Sequence, residues 1–170
     1  MHNDDFLEYV GPKIKGITES MHDAIALQLP DHIKNAGRAD RISANLEFGT
    51  RLLVKSFIEE TPLPDEGIQY FHDLGNSYGQ SALAISDLEW IFQISFMVGM
   101  SELFVTADAK NYKALKDFST YCAAEHTRIV QAAIGACEKA RARLGGRGEV
   151  REVLVKQLLE GGPVTAAAEA

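Results

Sequence analysis

The sequence predicts an all-α protein, a single bundle of about six to seven helices with a long sixth helix and a C-terminal linker. Apolar residues recur at helical spacing, and no alternating run typical of a strand is found. The five prolines fall at positions 12, 30, 62, 64 and 163, so residues 65–162 contain no helix breaker. A chain of 170 residues suits one domain. We assign residues 1–160 to a helical domain and residues 161–170 to a linker or the start of a following domain.

The first three helices are expected at residues 4–10, 18–29 and 41–60. Thr18 has the side-chain oxygen of a good N-cap, and Pro30 follows the expected end of the second helix. The third helix carries apolar residues close to one face and is stopped by the two prolines that follow it.

The fourth helix is expected at residues 66–82 and the fifth from residue 87 to about residue 106. Ser86 and Glu89 form a capping box, in which each side chain accepts a hydrogen bond from the backbone amide of the other. The fifth helix is apolar almost all round, and such a helix is usually buried on every side. The sequence therefore predicts that it passes through the centre of the domain.

The sixth helix is expected at residues 111–144, about 50 Å long, and ends at Gly145 and Gly146. A seventh is expected at residues 149–160. Its apolar stripe can pack on its own domain or pair with a second copy. We interpret the stripe as a homodimer contact that couples the module to a downstream domain of the same chain; it consists of Val150, Val153, Leu154 and Leu158.

Two glycines in the fourth helix indicate close helix packing. Gly75 and Gly79 are four residues apart and share one face. Each costs about 1 kcal/mol relative to alanine inside a helix, and the usual reason to accept this cost is the close approach of another backbone. Ser95 and Gly99 offer a matching small face on the fifth helix, so we predict that these four residues pack together.

A ligand pocket is the alternative interpretation of the same region. Such a pocket would lie between helices 67–82 and 87–105 and would be lined by Tyr78, Trp90 and Phe92. Apolar and aromatic side chains with a few polar groups are typical of small-molecule sites. This alternative makes the protein a sensor domain for a small-molecule effector.

Charge and hydropathy exclude several partners. The chain has 24 acidic and 17 basic residues, a net charge of −7, which repels phosphate groups. We therefore expect no direct nucleic-acid binding by this chain. The most apolar stretch, residues 90–100, is shorter than the roughly 20 residues of a membrane span. The sequence also shows no signal peptide, and these features predict a cytoplasmic protein without membrane contact.

No motif for catalysis, a metal or a cofactor is found. Glu19 and His22 have the spacing of a di-iron ligand pair, but the second copy that such sites need is missing. His72 and His126 are better interpreted as surface or hydrogen-bonded core residues than as haem ligands. We therefore expect a non-enzymatic protein without a metal or cofactor.

One stretch of the chain resembles a known family of bacterial regulators. Leu74-Gly75, then Leu88 and the run WIFQIS at residues 90–95, resemble the helical N-terminal domain of PucR/CdaR-type transcriptional regulators. That domain is akin to the N-terminal domain of RsbR-type stress antagonists, which resembles globins without haem. The match covers about residues 40–105, and the segment QLLEGGPV at residues 157–164 resembles the family's opening of the next domain.

The resemblance has departures and consequences. The family's turn glycine is Ala82 here, its Tyr-Arg pair is Phe92-Gln93, and its following glycine is Ser95. A role of that arginine in relatives therefore does not transfer to this chain. The resemblance implies a globin-like bundle as one option, and a signalling and oligomerisation module in transcription regulation. It also implies that the DNA-binding domain lies in a longer protein.

Overall fold

A computed structural model describes residues 3–28, 39–81 and 84–159 of the chain, with the side chains of residues 5–28, 41–81 and 84–145. Every regular element in these ranges is a helix, which confirms the predicted all-α class. A 3₁₀ turn at Gly11–Lys13 joins the first two helices. The helices are α1 (Asn3–Val10), α2 (Ile14–Ala26), α3 (Ala39–Ile58), α4 (Asp65–Gly79), α5 (Ile85–Val105) and α6 (Ala109–Leu159).

Helix α2 begins four residues before the predicted start. Pro12 lies in the first turn of the 3₁₀ segment, which leads directly into α2 at Ile14. Thr18 is therefore inside the helix, where it is buried and its Oγ1 donates a hydrogen bond to the Lys15 carbonyl oxygen at 2.9 Å. The prediction of Thr18 as an N-cap is wrong, because the chain was already helical one turn earlier.

The capping box at the start of α5 is also displaced. The helix begins at Ile85, and the Ala84 backbone amide donates to the Asp87 carboxylate at 3.2 Å. Ala84 has no side-chain acceptor, so only this half of a capping box exists. Ser86 and Glu89, which were predicted to form the box, are exposed residues within the helix.

Helix α5 is not buried on every side, contrary to the prediction. Its fully buried residues are Leu88, Ile91, Gly99 and Leu103. On the opposite face Met97 is 57% exposed, because α2 and α6 cover only one side of the helix. An apolar composition on all sides of α5 therefore does not mean that the helix is buried on all sides.

Helix α5 meets two simple criteria for a membrane span. Its 21 residues are long enough, and its mean hydropathy over an 18-residue window is 1.3. The sequence prediction considered only residues 90–100 and so underestimated this helix. The finding rests on the length and composition of the helix alone, and core helices of water-soluble proteins meet the same criteria.

Helix α6 is continuous over 51 residues, about 76 Å at 1.5 Å per residue. The predicted break at Gly145 and Gly146 is wrong: glycine weakens a helix by about 1 kcal/mol, and no proline is present to interrupt it. The predicted sixth and seventh helices are thus one. The coupling stripe of Val150, Val153, Leu154 and Leu158 lies outside the described side chains, and residues 161–170 lie outside the described residues.

One face of α6 forms the spine of the bundle. Its buried residues repeat mostly at steps of three and four, which keeps them on one stripe. After Ala140 no residue through Gly145 is buried, and α6 continues as a helix to Leu159, about 30 Å further along its axis. The buried positions are Asn111, Leu115, Phe118, Cys122, Glu125, Ile129, Ala133, Ala136, Cys137 and Ala140.

Helix α4 runs parallel to α6 in close contact. A Cβ atom on Gly75 would overlap the backbone of Ala133, and one on Gly79 would lie 2.6 Å from the Cys137 carbonyl oxygen and 2.7 Å from the Ala140 Cβ. Residue numbers increase together along both helices, which defines the parallel direction. The backbone of α6 thus comes close to α4 at both glycines. This confirms the prediction that Gly75 and Gly79 allow the close approach of another backbone.

The predicted partner of these glycines is wrong. Gly99 on α5 faces Met21 and Ile17 of α2, where a Cβ would overlap the Met21 methyl group. Ser95 turns its hydroxyl back to the Ile91 carbonyl oxygen at 2.6 Å. A helix face made of small residues can pack against several different helices. Here the buried Met21 side chain of α2 occupies the space beside Gly99.

Candidate functional site

A cavity of about 120 Å³ lies in the centre of the bundle, and five helices contribute to its wall. Helix α3 supplies one side, α4 and α5 supply two more, and α2 and α6 complete it. Most of its lining is apolar. The apolar side chains are Met21, Ile42, Leu46, Leu53, Phe71, Leu74, Leu88, Ile91, Phe92, Phe96, Met100, Phe118, Cys122 and Ile129.

The contact between α3 and α4 closes one side of this cavity. The Tyr70 hydroxyl donates to Asn45 Oδ1 at 2.6 Å, and the Tyr70 ring packs on Phe48 with 4.3 Å between centroids. Burial raises the pKa of Tyr70, so its hydroxyl stays protonated and remains a donor. Gly49 lets Phe71 approach α3, since a Cβ there would lie 3.3 Å from the Phe71 ring.

Five lining residues carry a side-chain nitrogen or oxygen: Asn45, Thr50, Tyr78, Ser95 and His126. Asn45 accepts from Tyr70, and Ser95 donates to the Ile91 carbonyl oxygen. His126 differs from these two. Its Nε2 atom is buried and has no hydrogen-bond partner among the described residues.

The His126 imidazole is held against an aromatic ring. It packs on Phe96 with 5.1 Å between the ring centroids and 37° between the planes. Buried polar atoms in native proteins are nearly always hydrogen-bonded, so an exception needs an explanation. The buried Tyr121 hydroxyl differs from it, because it faces the Ser56 hydroxyl and Tyr121 does not line the cavity.

The structure places the predicted pocket residues differently. Tyr78 and Phe92 line the cavity, as does Ser95, which was predicted as a packing residue. Trp90 does not line it; this half-buried residue packs beside the cluster of Ile25, Ile42, Leu88, Ile91 and Cys137. The predicted pocket also involved only two helices, whereas the observed wall includes α2, α3 and α6.

A smaller polar recess adjoins the cavity. It has a volume of about 110 Å³ and shares Ile42, Asn45, Leu74 and Tyr78 with the cavity wall. Its other lining residues are Arg41, Ser77 and Ser81. The recess therefore adds a cation and two hydroxyl groups to one end of an otherwise apolar space.

Chemically, the site can bind but offers no activated nucleophile among the lining residues. Burial raises the pKa of the Cys122 thiol well above its ordinary value of 9.0, and the nearby Glu125 carboxylate adds to the rise. In the ranges 5–28, 41–81 and 84–145, no group of three or more His, Cys, Asp or Glu side chains is placed to hold a metal ion. Cys122 and Cys137 are both buried free cysteines.

The raised pKa of Cys122 predicts a loss of stability at alkaline pH. The pKa of the Cys122 thiol is higher in the folded protein than the ordinary value of 9.0 that it has in the unfolded chain. Its contribution to the free energy of unfolding is therefore fully present below pH 9 and is lost as the pH rises from 9 through the folded-state pKa. We expect the free energy of unfolding to fall by up to about 1.4 kcal/mol per pH unit above pH 9 from this group.

Urea unfolding at pH 8 and pH 10 measures this loss, with Cys122→Ala as the matched variant. The variant should be less stable at pH 8, because it leaves a small cavity, but should lose less stability between pH 8 and pH 10. An identical loss in both proteins would contradict the assignment.

Comparisons with known proteins add no relative: no family model, no curated protein and no solved structure matches the chain.

Proposed function

We propose that this chain is a non-catalytic regulatory domain that binds a small, mainly apolar molecule in the central cavity. The observation that carries the proposal is the cavity itself, an apolar space to which five helices contribute. Natural interiors are packed with few voids larger than a water molecule. An apolar space of this size at the meeting point of the helices therefore favours a ligand site.

The size of the cavity sets the size of the ligand. An engineered apolar cavity of about 150 Å³ stays dry and binds benzene. The present cavity, at about 120 Å³, suits a single ring or a short branched chain. The adjoining recess offers room for a polar substituent near Arg41.

Helix α6 is the element suited to carry a signal away from the cavity. Phe118, Cys122, His126 and Ile129 of α6 line the cavity, and the same helix continues about 30 Å beyond Ala140. A ligand changes an equilibrium only through different contacts in two states. Contacts between the ligand and α6 would therefore link occupancy of the cavity to the C-terminal part of this helix.

A place in a PucR/CdaR-like transcription regulator remains a hypothesis. It rests on the sequence resemblance over about residues 40–105, and it supplies the output: a DNA-binding domain elsewhere in a longer chain. In this hypothesis the protein is cytoplasmic and homodimeric, with residues 150–158 at the coupling segment. The ligand-binding proposal does not depend on it.

Filling the cavity tests the proposal. Ser95 lines the cavity, whereas Ser101 is exposed on the same helix, so Ser95→Leu and Ser101→Leu are a matched pair. We expect benzene and toluene to raise the melting temperature of the wild type and of Ser101→Leu by a few degrees. We expect no such rise for Ser95→Leu, because its side chain occupies the space of the ligand.

The readout is thermal unfolding followed by circular dichroism, with and without the saturating hydrocarbon. Circular dichroism of Ser95→Leu without ligand establishes that the variant folds. Equal stabilisation of both variants would show that the hydrocarbons bind elsewhere. No stabilisation of the wild type by either hydrocarbon would refute the proposal.

A further inference from the structure

We propose that the ligand is a small monocarboxylic acid, with its apolar part in the central cavity and its carboxylate in the adjoining recess at Arg41 and Asn45. This inference rests on the proposed function of the cavity and names the class of its ligand. Two observations carry it: the position of the recess beside the cavity, and the hydrogen-bond donors in the wall of the recess.

The cavity and the recess adjoin each other between α3 and α4. The residues that line both spaces are Ile42 and Asn45 of α3 and Leu74 and Tyr78 of α4. The wall of the recess is mainly polar, whereas that of the cavity is almost entirely apolar. A molecule that fits both spaces therefore has an apolar part and a polar group joined by a short link.

Arg41 determines the charge of that polar group. It is the only residue with a permanent charge among the described residues that line either space. A guanidinium group forms strong, charge-assisted hydrogen bonds with a carboxylate. Arg41 is exposed, so a carboxylate beside it keeps part of its hydration and avoids the full cost of burying a charge. One cation favours a ligand with a single negative charge.

Asn45 supplies a second donor at the boundary between the two spaces. Its Oδ1 atom accepts the hydrogen bond from Tyr70, and its Nδ2 atom donates to no residue that the structure describes. Nδ2 is also not one of the side-chain atoms that the protein encloses without a partner, so a group the size of water can reach it. Arg41 and Asn45 are four residues apart on one face of α3, which places both donors beside the same carboxylate.

Isothermal titration of the full chain at pH 7.5 with phenylacetate, phenylacetamide and toluene tests the inference. Phenylacetamide has the shape of phenylacetate without its charge, so the comparison isolates the contribution of Arg41. We expect phenylacetate to bind about tenfold more tightly than phenylacetamide, the ratio given by one charge-assisted hydrogen bond. Toluene has no polar group and should bind more weakly than either.

Arg41→Met removes the charge and keeps a long side chain. This variant should bind phenylacetate and phenylacetamide with equal affinity. The matched control Arg51→Met changes an exposed arginine of the same helix that lines neither space, and should leave the ratio at about ten. A ratio of ten in Arg41→Met would overturn the assignment of the carboxylate to Arg41.

Asn45→Asp tests the second donor. The new carboxylate still accepts from Tyr70, but it replaces the Nδ2 donor by a negative charge. We expect the affinity for phenylacetate to fall by more than tenfold, while toluene binds as in the wild type. An unchanged affinity for phenylacetate would show that its carboxylate does not lie at Asn45.

The wild type provides a readout that does not depend on the folding of a variant. Salt screens the attraction between exposed charges, so raising NaCl from about 0.05 M to about 0.5 M should reduce the preference for phenylacetate over phenylacetamide. An unchanged preference would overturn the ion pair with Arg41.

The outcomes separate this inference from the proposed function. Equal binding of phenylacetate and phenylacetamide by the wild type would overturn the carboxylate assignment while the cavity remains a ligand site. Binding of acetate as tight as that of phenylacetate would also overturn the inference, because the recess would then bind an anion without help from the cavity. Binding of none of the three ring compounds would refute both proposals.

Discussion

Replacing Gly75 by alanine is expected to destabilise the fold by about 3 kcal/mol. The added Cβ would overlap the carbonyl group and Cα of Ala133, which are backbone atoms of the long helix α6. A flexible side chain can move aside, but a helix backbone cannot do so without moving its neighbours. The two parallel helices must therefore separate, which disrupts the packing on both sides. Urea unfolding followed by circular dichroism measures the loss.

Gly135→Ala is the matched control, since it introduces the same methyl group on the facing helix. No atom lies within 4 Å of a Cβ at Gly135. Alanine should therefore stabilise the protein there by about 0.5–1 kcal/mol through its higher helix propensity. The two substitutions thus have opposite expected signs. Stabilisation by Gly75→Ala would show that α4 and α6 are not packed at this distance.

Replacing Arg128 by leucine is expected to cost about 3 kcal/mol, the low end of the range for breaking a buried ion pair. The Arg128 Nη1 atom donates to Glu125 Oε2 at 2.6 Å, and the Glu125 side chain is only 7% exposed. Without the guanidinium group the Glu125 carboxylate is left buried without its partner. We expect a loss of stability at the low end of this range because the Arg128 side chain is itself 42% exposed.

The same substitution also removes an anchor for the segment between α3 and α4. Arg128 donates to the Leu63 carbonyl oxygen at 3.4 Å, which ties this segment to α6. The double variant Glu125→Gln/Arg128→Leu should recover part of the stability, since it removes the buried charge.

Arg51→Leu is the control for an exposed pair. Arg51 bonds to Glu47 at 2.7 Å, but both side chains are about half exposed. Such pairs contribute roughly 0–1 kcal/mol, so the loss should be small. Thermal unfolding of the three variants under one buffer condition compares them. Equal losses for Arg51→Leu and Arg128→Leu would contradict the burial of Glu125.

The sequence predicted the helices well and their partners poorly. Prolines and apolar spacing act within one segment, so the prolines at 62 and 64 correctly placed the turn between α3 and α4. The partner of a glycine face depends on which helix comes near it. Gly75 and Gly79 require a close backbone, and both α5 and α6 carry small residues that would fit. Nothing local to either segment distinguishes these two partners.

Part of the wall of the candidate site lies on the helices that the sequence indicated. Tyr78, Phe92 and Ser95 are on the two helices that the sequence indicated, and they line the cavity. The sequence interpreted His126 as a surface or hydrogen-bonded core residue and did not place it at a pocket, because position 126 is beside the buried stripe of α6 rather than on it. Its imidazole packs on Phe96, thirty positions away in sequence. A contact of that kind is set by helix packing and leaves no periodic signal.

The position of Trp90 makes the protein its own optical reporter. It is the single tryptophan of the chain, so its emission can be excited selectively at the red edge of the protein absorption. The indole is half-buried on α5 and packs beside the cavity wall without lining it. A ligand in the cavity cannot quench it by contact. A change in its emission wavelength on ligand addition would therefore report a rearrangement of the packing around Trp90, in real time and without a label.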